Sequence, residues 1–356
     1  MHVFYSTRAF FSAVLFGLFF TVCSATNFAQ AEPTELVILN WSDYIDPELV
    51  EKFEQQFNAK VREIYFESDD LRDNLVLETE AKGYDVVLIN GSSLHIYRKQ
   101  GWLASVDENQ MPNLKYIDDR WRDAFIEARE LAVPYFWGTL GIAYRSDLID
   151  EAPSSWMDLF DPPESLRGKI AMIEDATDTF GMALKALGYS ANSIDPKAIK
   201  EAERLLAAQK PYVGSYTYVG LGEDSALVSG EMVMTMIYSG DALMVQEHDE
   251  NIQYVVPQEG GNIWVDYLTV MESSTKKELA WAFINFLNEP ENAAQLAEFV
   301  YSPTPNTAAE KLLPAEFLED EVIYPDEEVL ARSEFYAPLR GRALKKRAMA
   351  YARLMQ

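Results

Sequence analysis

ELVILNWSDYIDPELVEKFEQQFNAKVREIYFESDDLRDNLVLETEAKGYDVVLI, residues 35–89, decides the fold class. Its first apolar run, Glu35–Asn40, has the length and branching of a strand. Asp46-Pro47 then opens a helix: a capping carboxylate precedes a proline at the first helical position, and Leu49, Phe53 and Phe57 share one face. KVREIYF (Lys60–Phe66) predicts a second strand, residues 70–81 a second helix, and YDVVLI (Tyr84–Ile89) a buried third strand. Strands alternating with helices in this way imply a parallel sheet covered by helices.

Downstream, VPYFWGTLGIAYR (Val133–Arg145) leads into a second unit of the same kind. KIAMI (Lys169–Ile173), EMVMTMIY (Glu231–Tyr238), YVV (Tyr254–Val256) and IWVDYLTV (Ile263–Val270) read as strands. Asp195-Pro196 opens a helix bearing Ile199, Ala202, Leu205 and Leu206. Thr275 and Glu278 have capping-box spacing ahead of a helix that lines up Leu279, Phe283, Phe286 and Leu287. No repeat and no low-complexity linker interrupts the chain. The expected fold is therefore α/β with two lobes, each a sheet flanked by helices, joined by crossing strands. The expected division assigns 32–137 with 266–312 to one lobe and 138–265 with 313–356 to the other.

Upstream, residues 1–31 have the layout of a secretory signal peptide. Arg8 supplies the positive charge, Ala9 to Val22 the apolar stretch, and Ala29-Gln30-Ala31 the small-x-small cleavage site. The apolar stretch is short for a membrane span. The single cysteine, Cys23, lies inside it, so the mature chain has no disulfide, thiol nucleophile or cysteine metal site. The formal net charge is −27, and more negative still without Arg8. Such a field repels nucleic acid and attracts cations. Surface acidity also keeps secreted proteins soluble, so charge alone leaves both readings open.

In open α/β sheets ligands sit beyond the carboxyl ends of strands. Those positions here hold Asn40, Trp41, Ser42, Asp43 and Tyr44; then Asn90 and Ser92; then Asp175 and Asp178; then Tyr238 and Asp241; then Trp264 and Asp266. An aromatic residue beside a carboxylate recurs: Trp41 and Tyr44 with Asp43, Tyr238 with Asp241, Trp264 with Asp266. Trp264 and Asp266, two apart, share a face if extended. A chain of ammonium groups separated by methylenes suits such a lining, because each ammonium takes a carboxylate and the methylenes lie on aromatic faces. Taken singly, each Trp also reads as core, and Asp43, Asp175 and Asp178 also read as helix caps. His95 and His248 have no metal spacing, and no GxSxG, HExxH or P-loop motif occurs. No catalytic residue, cofactor or metal is expected.

At these residues the chain resembles the bacterial periplasmic spermidine/putrescine-binding proteins. The resemblance covers nearly all of the mature chain. It rests on NWSDYI (Asn40–Ile45), YDVV (Tyr84–Val87), PYFWGTLGIAYR (Pro134–Arg145), DATDTFGMALKALGYSAN (Asp175–Asn192), EGGNIWVDYL (Glu259–Leu268), INFLNEPENAAQLAE (Ile284–Glu298) and SPTPNTAA (Ser302–Ala309). It implies the two-lobed periplasmic-binding-protein fold, a hinge closing on a polyamine such as spermidine, norspermidine or putrescine, and a monomer in the periplasm. It implies ligand contacts from Trp41, Ser42, Asp43, Tyr44, Asp175, Asp178, Asp241, Trp264 and Asp266. Departures fall on the walls. Asn90 stands where the family has Ser, Ser92 where a Tyr can stand, and Tyr238 where it has Trp. Ser302 replaces a Tyr, and Tyr218 and Tyr336 occupy places of Ser and Gln. The implied partner is the membrane permease of an ABC transporter. The alternative is a membrane signalling receptor that controls cyclic-di-GMP and biofilm formation. From Arg340 the chain carries six basic residues and no acid, read as a helix packed on the acidic second lobe or as a contact surface for the membrane partner.

Overall fold

Strand β1 (Thr34–Asn40) begins close to the start of the computed structural model, which describes residues 32–339 and 341–355; the expected signal peptide lies outside the described residues. Helix α1 (Pro47–Phe57) starts as the sequence predicts, with the Asp46 carboxylate accepting from Glu48 N at 2.8 Å. Strand β2 (Ala59–Tyr65) returns parallel to β1. Helix α2 (Asp69–Glu78) is capped by Ser68 and is shorter than the expected 70–81, because Glu80 and Ala81 turn into the left-handed region with φ of 52° and 59°. Strand β3 (Val86–Asn90) pairs parallel with β1, and α3 (Leu94–Gln100) follows.

The next strand, β4 (Val133–Arg145), is 13 residues long and serves two sheet regions. Beyond it come β5 (Ile170–Ala171), α4 (Ala176–Ala186), α5 (Pro196–Gln209), β6 (Val213–Ser215) and β7 (Met234–Tyr238). Helix α6 (Ser239–Gln246), β8 (Ile252–Val255) and β9 (Ile263–Val270) complete the strands. Helices α7 (Lys277–Leu287), α8 (Pro290–Val300) and α9 (Gly341–Leu354) lie further on. The strand order is β2-β1-β3-β9-β4-β7-β5-β6, with β8 also on β4. The parallel expectation holds for β2-β1-β3 and for β6-β5-β7; β9 runs antiparallel between β3 and β4, and β4 runs antiparallel to β7 and β8, so the sheet is mixed.

Along β4, residues Val133–Thr139 pair with β9, and Leu140–Tyr144 pair with β7. Apolar packing changes hands at the same point. One core takes β4 residues up to Trp137; the second starts at Leu140. Ile263 and Val265 of β9 join the first core, as do Leu313 and Leu330. Ala350 and Leu354 of α9 join the second. Between Trp137 and Leu140, Gly138 and Thr139 belong to neither core, and Ala143 further along joins a third, smaller cluster.

Three local expectations are corrected. Only Ile170 and Ala171 of the 169–173 run are paired as strand, and the strands near 231 and 254 start at Met234 and Ile252. Thr275 and Glu278 do not form a capping box: the cap is Lys276, without a side-chain cap bond. Ser274 takes that work, accepting from Lys276 N at 3.0 Å while donating to buried Asp85 at 2.7 Å. The basic C-terminal segment packs as α9, where Arg347 donates to the Ala191 and Ser193 carbonyls at 2.8 and 2.7 Å and Arg353 pairs with Glu203 at 2.6 Å. Among the described residues, no helix is long and apolar enough to cross a membrane.

Candidate functional site

Strand ends bring the acids together. Asn90, last in β3, lies directly across from Asp266 of β9. Cross-strand partners of this kind put their side chains on one face. Asp178 stands in the first turn of α4, after the short β5, and Asp241 in the first turn of α6, after β7. Each of these three acids is met by a tyrosine hydroxyl. Tyr44 donates to Asp266 Oδ2 at 3.1 Å, Tyr238 donates to Asp178 Oδ2 at 2.6 Å, and Tyr218 donates to Asp241. The aromatic–acid pairing expected from the sequence is present with its partners exchanged. Tyr238 serves Asp178 rather than Asp241, and Tyr44 serves Asp266 rather than Asp43.

Each tyrosine is itself held. Tyr135 donates to the Tyr44 carbonyl at 2.7 Å, and Tyr44 meets the edges of Tyr135 and Phe136. Tyr238 N donates to the Tyr218 hydroxyl at 3.3 Å, linking the Asp241 and Asp178 pairs. The Tyr336 hydroxyl is buried without a hydrogen-bond partner and faces Asp178. Its ring lies against Gly181 of α4, where a Cβ would come within 2.8 Å. Trp264 shares the face of Asp266 and lies across from Gly138; a Cβ at Gly138 would sit 2.5 Å from the indole. Tyr238 meets Trp264 edge-on, with ring centroids 6.4 Å apart.

Burial dominates the electrostatics. It pushes the Asp178 and Asp266 carboxyls up to about 7 and Asp241 up to about 6. The neighbouring Asp175 adds to the rise at Asp178, and Asp69 adds at Asp266. Tyr44, Tyr218, Tyr238 and Tyr336 are pushed well above the ordinary phenol range by burial, so they remain neutral donors. Among the described residues, none of the three acids closes a salt bridge; their bonds are to hydroxyls. An enclosed carboxylate of this sort is stable when it is protonated or when it meets a cation. The site can therefore accept a ligand bearing several positive charges.

The remaining expected residues lie around this centre. Asp175 is the cap of α4, accepting from Thr177 N and Asp178 N at 2.7 and 2.8 Å, and it stays exposed. Asn90 accepts from Ser92 Oγ at 2.6 Å and from Ser93 N at 3.1 Å. Trp41 packs on Phe66, with centroids 4.3 Å apart. Ser42 and Asp43 are exposed, bonded to each other at 2.9 Å, and Asp43 stands beside Glu63 and Tyr65 of β2. The structure thus pairs Tyr44 with Asp266, Tyr238 with Asp178 and Tyr218 with Asp241, sets Tyr336 facing Asp178, and leaves the Ser42–Asp43 pair outside this group.

Three residues near this centre carry no sequence signal of it: Asp69, Arg72 and Tyr135. Asp69 lies beside Asn90, to which it is hydrogen bonded, and Arg72 is a fully buried cation bonded to Asp69. Ser68-Asp69-Asp70 reads as an ordinary helix start, and it is one, which hid the second role. Tyr135 sits inside the apolar run of β4 and reads as core.

Comparisons with known proteins agree with this architecture. The family model for bacterial extracellular solute-binding proteins matches residues 48–324. The chain is 32% identical over 302 residues to the spermidine/putrescine-binding periplasmic protein of Escherichia coli, covering 84% of this chain and 86% of that protein. It is 32% identical over 321 residues to the norspermidine sensor of Vibrio cholerae, covering 90% and 88%. Among solved structures, the spermidine/putrescine ABC transporter substrate-binding protein PotD of Streptococcus pneumoniae superposes with a TM-score of 0.81 at 30% identity, covering 90% of this chain and 98% of that one. A putative spermidine/putrescine ABC transporter protein from Listeria monocytogenes gives 0.81 at 33% identity, covering 91% and 99%. With this fold, and with relatives above 30% identity over more than four-fifths of its length, the chain belongs to the bacterial extracellular solute-binding proteins, in the group of the spermidine/putrescine-binding periplasmic proteins.

Proposed function

We propose that this protein binds a linear polyamine between its two lobes in the periplasm and delivers it to the permease of an ABC transporter. It is a solute-binding protein and not an enzyme. The observation that carries the reading is the set of three enclosed carboxylates, Asp178, Asp241 and Asp266, each orientated by a tyrosine and none paired with a cation. Ammonium groups supply the missing charge, while Trp264 and Tyr238 offer faces to the methylenes. The lobes are assigned as 34–137 with 263–335 and 140–262 with 336–354; 313–335 moves from the expected second lobe to the first because Leu313 and Leu330 pack in the first core, and the chain crosses within β4, just before β9 and again near 335. The protein acts as a monomer.

A thermal-shift panel of putrescine, spermidine, norspermidine, spermine and free amino acids on the mature protein tests this. At 100 times its Kd a polyamine adds about 2.7 kcal/mol of stability, a rise of several degrees in Tm. Amino acids add nothing. A panel with no response to any amine overturns the reading. The Trp264 wall has its own test. Gly138→Val displaces the indole, and calorimetry is expected to show affinity lowered about 30-fold, since each aromatic contact with a desolvated cation contributes about 2 kcal/mol. Unchanged affinity would return Trp264 to a packing role.

A second reading has a specific support. The norspermidine sensor is as similar as the transport relatives and is matched over 90% of this chain. Under it, the loaded protein reports to a membrane receptor. Crosslinking in cells separates the two: a permease captured supports transport, and a receptor with a signalling domain captured supports sensing.

A further inference from the structure

Asp69 has contacts that a helix-start residue does not need. One carboxylate oxygen accepts from Arg72 and the other from the Asn90 amide. Arg72 is completely buried and spends its other donors on Asp73 at 2.8 Å, Ser93 Oγ at 3.0 Å and the Tyr97 hydroxyl at 3.3 Å. Its guanidinium also lies over the Phe66 and Tyr97 rings. A buried guanidinium this fully bonded is a rigid mount. It fixes Asp69 at the start of α2, while the Asp69 side chain itself keeps 45% of its surface open.

The mount holds Asp69 beside the site through Asn90. Asn90 lies directly across from Asp266, on the same face of the sheet. The row therefore runs Asp266, Asn90, Asp69, with the amide as spacer between two carboxylates. A carboxylate has about four lone-pair positions, and Arg72 and Asn90 use two, so two remain for an incoming donor. Asp69 is ringed by protein closely enough for burial to raise its pKa, with Asp73 and Asp175 adding to the rise against Arg72. Asp69 thus keeps open surface next to acids of both lobes.

We propose that Asp69 is a ligand-contacting, specificity-determining residue of this cleft, one that receives an additional ammonium beside the one at Asp266 and so makes the protein prefer triamines and longer amines to diamines. The inference rests on the polyamine reading above. Arg72 and Asn90 act as positioning residues: they hold the carboxylate and leave its outer lone pairs free.

Calorimetry on the mature protein, with spermidine and putrescine as probes, tests it. The wild type is expected to bind spermidine more tightly than putrescine. Asp69→Asn is expected to weaken spermidine at least tenfold and putrescine less than threefold, collapsing the ratio. Asp69→Glu restores much of the ratio, and Asp70→Asn, one residue along on the exposed side, leaves it unchanged. Equal weakening of both amines, or no change in either, overturns the proposal while leaving polyamine binding intact. So does a wild type that prefers putrescine. A wild type that binds neither amine removes the underlying reading instead. If Asp69→Asn does not fold, Asn90→Ala serves: it removes one of the two bonds holding Asp69, and a ratio that stays at the wild-type value counts against the proposal.

Discussion

Asp266→Asn is expected to weaken polyamine binding by about 2–5 kcal/mol, roughly 30-fold or more in Kd, without destabilising the ligand-free protein. The two halves of this result have separate causes. Asn keeps the shape of Asp and still accepts from Tyr44, so the contact at 3.1 Å survives. What it loses is the charge that an ammonium needs once both are enclosed. In the ligand-free protein that charge is a burden, since burial already raises the carboxyl to about 7. A group held higher in the folded state than unfolded contributes stability that is present at low pH and lost as pH rises through its folded value. At pH 8 the wild type therefore carries an unfavourable ionised Asp266 that the Asn variant lacks, and the variant's Tm should be equal or higher. Calorimetry and thermal melts at pH 8 check both halves. Unchanged affinity would remove Asp266 from the site. Loss of affinity together with a large fall in Tm would make it a structural residue.

The sequence carried the elements better than their partners. The alternation over 35–89 was legible because each strand and helix there has a local signature, such as Asp46-Pro47 opening α1. The insertion of β9 between β3 and β4 was not, because β9 follows β3 by more than 170 residues and no local pattern specifies a pairing at that range. The candidate acids were also legible, since strand ends have recognisable neighbours. Their tyrosines were assigned wrongly by proximity in sequence. Tyr238 precedes Asp241 by three residues but starts α6 at a different angle, so its hydroxyl reaches Asp178 on α4, sixty residues earlier. Asp241 is met instead by Tyr218, from the segment preceding β7. Asp69 was hidden because its local role as a first-turn acid of α2 is real, and a residue that satisfies one ordinary reading gives no sign of a second.

Polyamine affinity should fall steeply as pH drops from 7.5 to 5.5. The ligand's ammonium groups stay protonated over this range, so the change belongs to the protein. Asp178 and Asp266, raised to about 7, and Asp241, raised to about 6, progressively take up protons in the ligand-free state. A bound ammonium favours the ionised form and pulls each value down. Binding must then release the protons, and each strongly coupled carboxyl makes affinity up to about tenfold weaker per pH unit below its free value. Asp178 and Asp266 together should weaken binding by at least about 100-fold across the window. Titrations at pH 6.5 in two buffers of different ionisation enthalpy should show net proton release. A Kd that is flat with pH, or proton uptake on binding, would exclude these acids as ammonium partners. Ligand-free stability should move the opposite way. With folded values above the unfolded carboxyl range, these acids contribute stability at the acid end of the window and withdraw it as pH rises through 6 to 7. Proton and ammonium are thus alternative counter-charges for the same enclosed acids, and the stabilisation that a polyamine brings should be largest where the protons have gone.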